Sequence, residues 1–257
     1  MGSDPSKAAG ADHAVGGSSE SVESYAVRHP QLGSLTDIPA RLSAALNTLA
    51  AGSDLVIDVG CGEGHTLHEV RNLLGVRSPL IGFDISHARA RKPRSRGLTV
   101  IVADALQLPL QSGSVALAIC RHVIEHVADD RAVLAELNRV LQPGAVLYLE
   151  TPLRLPGAWY PYRNVDGAWV LDPTHVREYR KVSEVEMLLR AAGFTNLSVN
   201  VRPIKYRLAH LVHRAFRAVG LRGFSPDILD TRGPSLRVPR YREIRVLARS
   251  GAPGPFP

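Results

Sequence analysis

Short, continuous apolar runs alternate with helix-compatible stretches between residues 55 and 150, and this alternation restricts the fold more than any other feature. Such runs are typical of parallel strands buried on both faces, because crossover helices cover the sheet. We therefore predict a doubly wound α/β fold, in which ligands bind at the carboxyl ends of the strands. The predicted parallel strands are 55–59, 80–84, 98–102, 115–120 and 145–150.

The remaining elements complete a seven-stranded, mostly parallel sheet. After a predicted helix at about 183–192, strands at about 196–201 and 242–248 flank an excursion that begins with a basic helix at about 203–221. This order fits an antiparallel edge and a C-terminal helical insertion.

The length of 257 residues and the apolar fraction of 45% fit one domain with additions. We place this domain at 23–250, with a helical entry segment at about 25–51. Residues 1–22 contain too few large apolar side chains to offset the entropy of ordering, so a disordered tail is expected. The segments 152–182 and 203–240 are predicted to form a substrate lid.

The chain has only two cysteines, Cys61 and Cys120, which excludes a disulfide scaffold and favours a reducing, cytoplasmic setting. Two thiols cannot build a structural zinc site alone, and we expect no metal. No run of about 18 apolar residues occurs, so a membrane span is not expected. The N-terminal residues also lack the pattern of a secretory signal.

A glycine-rich turn lies between the first predicted strand and the helix that follows it. Gly60, Gly62 and Gly64 alternate with Cys61 and Glu63. Glycines let the backbone turn tightly and let a ligand approach closely, and the helix N-terminus offers free N–H groups to an anion. The alternative is a plain strand-to-helix turn without a ligand.

Two carboxylates at the next strand ends favour the ligand interpretation. Asp84 ends the second strand and is placed to accept both hydroxyls of a ribose. Asp104 follows the third strand and can accept from an adenine amine, while the Ala105 N–H can donate to a ring nitrogen. Either aspartate alone is as well explained by an N-cap, and Ser86 is predicted to cap the helix that follows the second strand. With the glycine turn, they predict a site for an adenosyl group joined to an amino acid.

At these positions the chain resembles the class I S-adenosylmethionine-dependent methyltransferases, and most of all their type 11 small-molecule group, akin to the ubiquinone and menaquinone pathway enzymes. The resemblance implies a Rossmann-like methyltransferase fold, S-adenosylmethionine as cofactor and a small-molecule acceptor. The matching stretches follow one another in order: 58–64, 82–85, 103–109, 123–127 and 137–144.

The resemblance also implies roles for individual residues. The methionine moiety is expected near Asp58, Gly60 and Gly62, the ribose on Asp84, and the adenine beside Asp104 and Ala105. Arg121 and His122, at the end of the fourth strand, are expected to line the sulfonium. The other predicted cofactor-binding residues are Cys61, Gly64 and Ile85.

A nicotinamide-dependent dehydrogenase is the main rival within this fold class. Its fingerprint is GxGxxG, whereas this chain has GxGxG with Asp58 two residues before the first glycine. The Asp104 segment has no role in that fingerprint. Thermal stabilisation by each cofactor separates the two, because a ligand of the folded state raises stability by mass action.

Methyl transfer from a sulfonium releases a neutral thioether, so alignment and exclusion of water should supply most of the acceleration. A hydroxyl or amine acceptor also needs a base, for which histidine is suited. Residues 172–179 are similar to a segment that borders the acceptor pocket in many type 11 members. We therefore predict His175 as the base and His122 as a second catalytic candidate. Glu125 and His126 are as well explained by helix capping.

Five of the 14 aromatic residues fall between residues 159 and 179, in a proline-containing segment directly after the fifth strand. A long loop at this edge is more often functional than idle. Aromatic faces could pack a planar acceptor and favour the sulfonium charge. The alternative is that they pin the loop to the body. The predicted substrate residues are Trp159, Tyr160, Trp169, Arg177 and Tyr179.

The positive charge is concentrated near the C-terminus. Residues 202–257 hold 12 Lys and Arg against 3 Asp and Glu, whereas residues 1–201 hold 19 against 21. A solvated basic face explains this most simply, and membrane-surface contact is not favoured. Nucleic acid is an unlikely partner, because no RNA-binding motif is present. We expect methyl transfer to a small cyclic acceptor, with oxygen favoured. An RNA methyltransferase and a non-catalytic cofactor-binding protein remain alternatives.

Overall fold

The computed structural model describes residues 40–49, 54–72, 75–95, 97–160, 162–163, 167–207 and 235–251. The predicted tail at 1–22 lies outside these residues, as does most of the predicted basic helix. Among the described residues no helix is long and apolar enough to cross a membrane.

Helices and strands alternate through the first part of the fold, as the apolar runs predict. The helices are α1 (Ala40–Leu46), α2 (His65–Asn72), α3 (His87–Ser95), α4 (Asp130–Val140) and α5 (Val182–Ala191). The strands are β1 (Val56–Val59), β2 (Leu80–Asp84), β3 (Thr99–Val102), β4 (Val115–Arg121), β5 (Leu141–Arg154), β6 (Tyr162–Arg163), β7 (Trp169–Val170), β8 (Phe194–Arg207) and β9 (Ser235–Ser250).

Seven strands form one sheet in the order β3-β2-β1-β4-β5-β9-β8, and β6 and β7 form a separate antiparallel pair. The first five strands of this order are parallel, while β9 runs antiparallel to both β5 and β8. This is the predicted doubly wound sheet with an antiparallel edge. Because parallel strands share a direction, Asp84 and Arg121 reach the same edge as the turn after Val59.

Apolar side chains cover both faces of the sheet. One cluster includes Val133 and Leu137 of α4 and Val185 of α5, and a second includes Leu67 of α2 and Leu42 of α1. Burial of this surface supplies the main driving force for folding. Residues 55–59 and 115–120 are central in the sheet, which explains why their sequences show no alternation.

Three strands, β5, β8 and β9, extend well beyond their predicted bounds, and β9 begins at Ser235, inside the segment 203–240 that was expected to form a lid. Residues 203–207 continue β8 and do not begin a helix, because β9 continues alongside and pairs with them. Residue 152 was expected to begin the loop, but Pro152 lies inside β5. The strand tolerates it because β4 pairs only as far as Glu150, so at position 152 the one neighbouring strand is β9, and the isolated bridge to Tyr179 forms at Leu153.

Candidate active site

The glycine turn has the backbone that its sequence predicts. Gly60, Gly62 and Gly64 have φ angles of +72°, +53° and +74°, in the left-handed region that favours glycine. A Cβ on Gly60 would lie 2.2 Å from Cγ2 of Val123, and one on Gly64 would lie 2.5 Å from Cβ of Pro93. The turn is therefore packed tightly against Val123 and Pro93, and side chains at positions 60 and 64 would clash with them.

Asp84 fixes the turn by accepting two backbone hydrogen bonds. Its Oδ2 accepts from the N–H of Gly62 at 2.8 Å, and its Oδ1 accepts from the N–H of Ser86 at 2.9 Å. Ser86 in turn caps α3, as predicted, since its hydroxyl accepts from the N–H of Arg89.

Asp58 is the buried carboxylate beneath the turn. Its side chain is 2% exposed, and its Oδ2 has no hydrogen-bond partner among the described residues. Burial, assisted by the nearby carboxylates of Asp84 and Glu150 and opposed by Arg121, raises the pKa of Asp58 to about 7. An unpartnered buried acceptor is costly, so this atom is suited to a cationic donor from a ligand.

We expect the affinity for S-adenosylhomocysteine to rise by roughly tenfold or more between about pH 5.5 and about pH 7.5. The ammonium of the ligand needs the ionised form of Asp58, whose pKa is about 7. Titration calorimetry at several pH values measures this profile, and Asp58→Asn should flatten it. A flat profile in the natural sequence would separate Asp58 from ligand binding.

The raised pKa of Asp58 also affects how the folding stability of the cofactor-free protein depends on pH. In the folded state the pKa of Asp58 is about 7, whereas the ordinary pKa of an aspartate is 3.8. Between these two values the folded state binds more protons than the unfolded state. This group therefore lowers the free energy of unfolding as the pH rises through that window.

The remaining predicted cofactor residues lie at or beside the same edge. Asp104 is half-buried, and its Oδ1 accepts from the N–H of Leu106 at 2.9 Å. Ile85 and Ala105 are half-buried, directly after β2 and β3 respectively. Cys61 differs, because its thiol is buried in the apolar core and its N–H donates to the carbonyl of Phe83. Burial also raises the pKa of this thiol, so Cys61 shapes the turn without offering a polar group.

Glu150 is the buried centre of a charged network on β4, β5 and β9. Its carboxylate accepts from Nε of Arg121 and from the hydroxyl of Tyr148, and it forms an ion pair with Arg245, whose Nε lies 3.1 Å away and donates to Glu243. Sheet register explains this arrangement, because Glu150 lies opposite Arg121 on one side and opposite Arg245 on the other. Arg121 also reaches Oγ1 of Thr66 on α2 at 3.4 Å. Its guanidinium is therefore held firmly at the cofactor edge.

His122 lies between two carboxylates. Its Nδ1 is 3.2 Å from Oε1 of Glu125, and its Nε2 is 3.3 Å from Oε1 of Glu243. Burial opposes the charged form, but hydrogen bonds to both carboxylates outweigh it and raise the pKa of His122 to about 10. An imidazole that is already protonated has no lone pair for a further proton. The geometry therefore speaks against His122 as a base and fits a residue that positions its neighbours.

His126 and His175 pack edge to face, with ring centroids 4.8 Å apart. Nδ1 of His175 lies 3.1 Å from Oε1 of Glu178. Nδ1 of His126 lies 2.9 Å from Oγ1 of Thr174, whose hydroxyl donates to Asp172 at 2.6 Å. Since a threonine hydroxyl has a single proton and a carboxylate only accepts, both Nδ1 atoms are donors. Each Nε2 therefore carries the free lone pair.

The aromatic segment separates into an exposed pair and buried anchors. Trp159 and Trp169 are 54% and 36% exposed, and their ring centroids are 5.7 Å apart. Tyr160 is buried in a small apolar cluster with Leu171, and Tyr179 is buried in the main core. Among the aromatic side chains of this segment that the structure describes, the two tryptophans are therefore the exposed ones. For the two tyrosines, the alternative of pinning the loop fits better than substrate binding.

Arg177 is an anchor and not a free cation. Its guanidinium donates to the carbonyl oxygens of Ile124, Val127 and Ala128 at 2.6–3.0 Å. It also lies 3.3 Å from Asp130, which accepts from the hydroxyl of Tyr179 at 2.8 Å. These contacts leave little capacity for a substrate. They attach the loop after β5 to the turn that precedes α4.

Sequence analysis missed several residues of this site because their partners come from distant strands. Glu150, Glu243 and Arg245 meet only through the pairing of β5 and β9. Glu178 accepts from His175, the Leu171 N–H and the Tyr241 hydroxyl, and is 4% exposed. The available signal was a charged residue inside an otherwise apolar run, as at position 150.

Comparisons with known proteins show what the chain is similar to. A family profile described as "Methyltransferase domain" matches residues 57–149. A probable S-adenosylmethionine-dependent methyltransferase from Mycolicibacterium smegmatis is 35% identical over 149 residues, which cover 56% of this chain and 52% of that protein. A malonyl-[acyl-carrier protein] O-methyltransferase from Methylococcus capsulatus is 27% identical, covering 74% and 70%. Other relatives are named as tRNA methyltransferases.

The fold has relatives among solved structures. The YcgJ protein of Bacillus subtilis superposes with a TM-score of 0.58 at 18% identity, covering 82% of this chain and 98% of that one. The chain spans about half the length of the first curated relatives that it matches. The matched segment contains the glycine turn, Asp58, Asp84 and Asp104 in the predicted order. Residues 57–149 thus match the methyltransferase-domain family and are similar to probable S-adenosylmethionine-dependent methyltransferases.

Proposed function

We propose that this chain transfers a methyl group from S-adenosylmethionine to an oxygen atom of a small-molecule acceptor. The observation that carries the proposal is the unpartnered, buried Oδ2 of Asp58 at the edge where the glycine turn and Asp84 meet. A buried carboxylate of this kind needs a cationic partner, and the ammonium of the methionine moiety supplies one.

Each carboxylate of the edge has one part of the ligand to hold. Asp58 accepts from the ammonium, Asp84 accepts from the ribose hydroxyls, and Asp104 accepts from the adenine amine. The bound cofactor supplies an electrophilic methyl group on a sulfonium. The chain contributes alignment and a water-poor surround, which together account for much of the rate of such displacements.

The acceptor side is assigned to the loop after β5. Trp159 and Trp169 present adjacent, partly exposed rings, which suits a planar acceptor. His126 and His175 carry lone pairs on Nε2 and can help to remove a hydroxyl proton. This chemistry favours oxygen over carbon, and it supports an acceptor with a hydroxyl or carboxyl group.

We expect His175→Gln to lower kcat by at least about 100-fold while the affinity for S-adenosylhomocysteine changes by less than about twofold. The imidazole is 5% exposed and its Nδ1 is fixed by Glu178, so its Nε2 is held in one direction. Steady-state kinetics and calorimetry measure the two quantities. A kcat within about threefold of that of the natural sequence would show that His175 is not the base, because alignment of the acceptor with the methyl group would then account for the rate.

An acceptor panel tests the whole proposal. The full chain is incubated with tritiated S-adenosylmethionine and one of three acceptor pools: small phenols and carboxylic acids, an acyl carrier protein loaded with malonate, or bulk tRNA. We expect label to enter the small molecules. Label in tRNA alone, with an affinity that falls steeply as salt rises, would replace the proposal by RNA methylation. Tight cofactor binding with no transfer to any pool would indicate a non-catalytic binding protein.

A further inference from the structure

Three potential metal ligands converge where the loop after β5 meets the turn after β4. Glu125, His126 and His175 each offer a ligand atom, and these atoms all lie within 4.8 Å of one another. Glu125 is fully buried and His175 is 5% exposed. The three residues come from segments about 50 positions apart in the chain, and two tethers bring them together. The N–H of Val176 donates to the carbonyl of Glu125 at 2.9 Å, and Arg177 anchors the same loop.

The two imidazoles are oriented as metal ligands are. Each Nδ1 donates to an oxygen, either directly to the carboxylate of Glu178 or to Thr174, which is bonded to Asp172. Histidines that bind metals commonly donate their other ring N–H to a carboxylate or a similar acceptor, which fixes the tautomer and raises the basicity of the ligating nitrogen.

The charges around the cluster favour a cation. Three carboxylates face it: Glu125 as a member, with Asp172 and Glu178 behind the two histidines. His122 also lies against Glu125, and its other ring nitrogen faces a fourth carboxylate, that of Glu243, at 3.3 Å. Glu125 also accepts from Oγ1 of Thr151 at 2.9 Å, which fixes its second oxygen.

We propose that Glu125, His126 and His175 form a binding site for one divalent transition-metal ion. Two imidazoles and one carboxylate match the preferences of Zn²⁺ and its neighbours better than those of Ca²⁺ or Mg²⁺. Three protein ligands leave a coordination position open, which is the pattern of catalytic zinc sites. The inference rests on the proposed function only for the group that fills this position, an oxygen of the acceptor.

This site changes the expected role of His175. With Nε2 on a metal ion, His175 is a ligand and not a base, and a bound cation lowers the pKa of an acceptor hydroxyl. The loss of turnover expected for His175→Gln is the same in either role. Metal binding must therefore be measured directly.

A second group of candidate ligands, His122, Glu150 and Glu243, does not carry the same inference. Arg121 and Arg245 already pair with its carboxylates, and both nitrogens of His122 are engaged. A cation placed there would displace existing ion pairs.

The test measures metal bound by the full chain after treatment with EDTA and equilibrium dialysis against Zn²⁺ or Co²⁺. We expect about one equivalent of Zn²⁺ per chain and, with Co²⁺, the visible absorption of a site of low coordination number. Glu125→Gln, His126→Asn and His175→Asn should each weaken binding by at least about tenfold. His68→Asn removes an exposed histidine from α2 and is the matched control, with unchanged binding expected.

Two further measurements on each variant are needed to interpret its metal content. Circular dichroism and the affinity for S-adenosylhomocysteine show whether each variant is folded. Weak metal binding by a folded variant supports the site. Equal metal content in the natural sequence and in a folded His126→Asn/His175→Asn variant overturns it. Because the cofactor site is measured separately, absence of cofactor binding by the natural sequence would count against the proposed function, whereas absence of metal binding by the natural sequence with cofactor binding intact would count against this inference.

Discussion

Replacing Asp84 by alanine is expected to lower the affinity for S-adenosylmethionine and S-adenosylhomocysteine by at least about 100-fold. The proposed function places the ribose hydroxyls on this carboxylate, which also accepts from the N–H groups of Gly62 and Ser86. Hydrogen bonds to a charged group contribute about 1.5–3 kcal/mol each, so loss of two ribose contacts alone accounts for this factor.

The control is Asp129→Ala, which removes an aspartate that caps a helix away from the turn. Asp129 accepts from the N–H of Ala132 at 2.9 Å and caps α4. Its loss should lower the free energy of unfolding by about 1 kcal/mol and leave cofactor affinity unchanged. Calorimetry and thermal unfolding measure both variants. Retention of cofactor affinity within about threefold in a folded Asp84→Ala protein would contradict the assignment of the ribose to this residue.

The sheet and the cofactor edge were accessible from sequence because their signals are local. An apolar run, a glycine that needs a positive φ and a polar residue at a strand end lie within a few positions of one another. Gly60, Gly64 and Ser86 have the conformations and contacts that this local reading predicts. Strand length was less accessible, because pairing of β8 with β9 carried residues 203–207 into the sheet.

The roles of the residues on the acceptor side were harder to predict, because tertiary contacts that the sequence does not show occupy their side chains. Arg177 matched a motif and carried a charge, yet three carbonyls of the distant turn at 124–128 occupy its guanidinium. His122 has the residue type of a base, but Glu243, more than 100 positions away, helps to keep it protonated. In both cases tertiary partners decide the chemistry of a residue whose type had suggested another role.

Replacing Glu150 by alanine is expected to lower the free energy of unfolding by about 3–5 kcal/mol, the largest stability effect among these variants. Glu150 is fully buried, and its loss leaves the guanidiniums of Arg121 and Arg245 without their shared carboxylate. The exposed fractions of these two side chains are 11% and 15%, so water cannot replace the lost partner fully. Denaturant unfolding measures the change. The control is Glu186→Ala, at a half-buried position on α5, for which the free energy of unfolding should change by less than about 0.5 kcal/mol.

A double replacement distinguishes an unpaired charge from a lost packing contact. If the cost comes from buried guanidinium charge, then Glu150→Met with Arg245→Met should be more stable than the sum of the two single changes predicts, because fewer charges remain unpaired. Additive costs would show that Glu150 and Arg245 stabilise the fold independently. Arg121 would still lack its partner in the double variant. Reduced cofactor affinity should therefore persist after stability is recovered, since Glu150 holds this guanidinium at the cofactor edge.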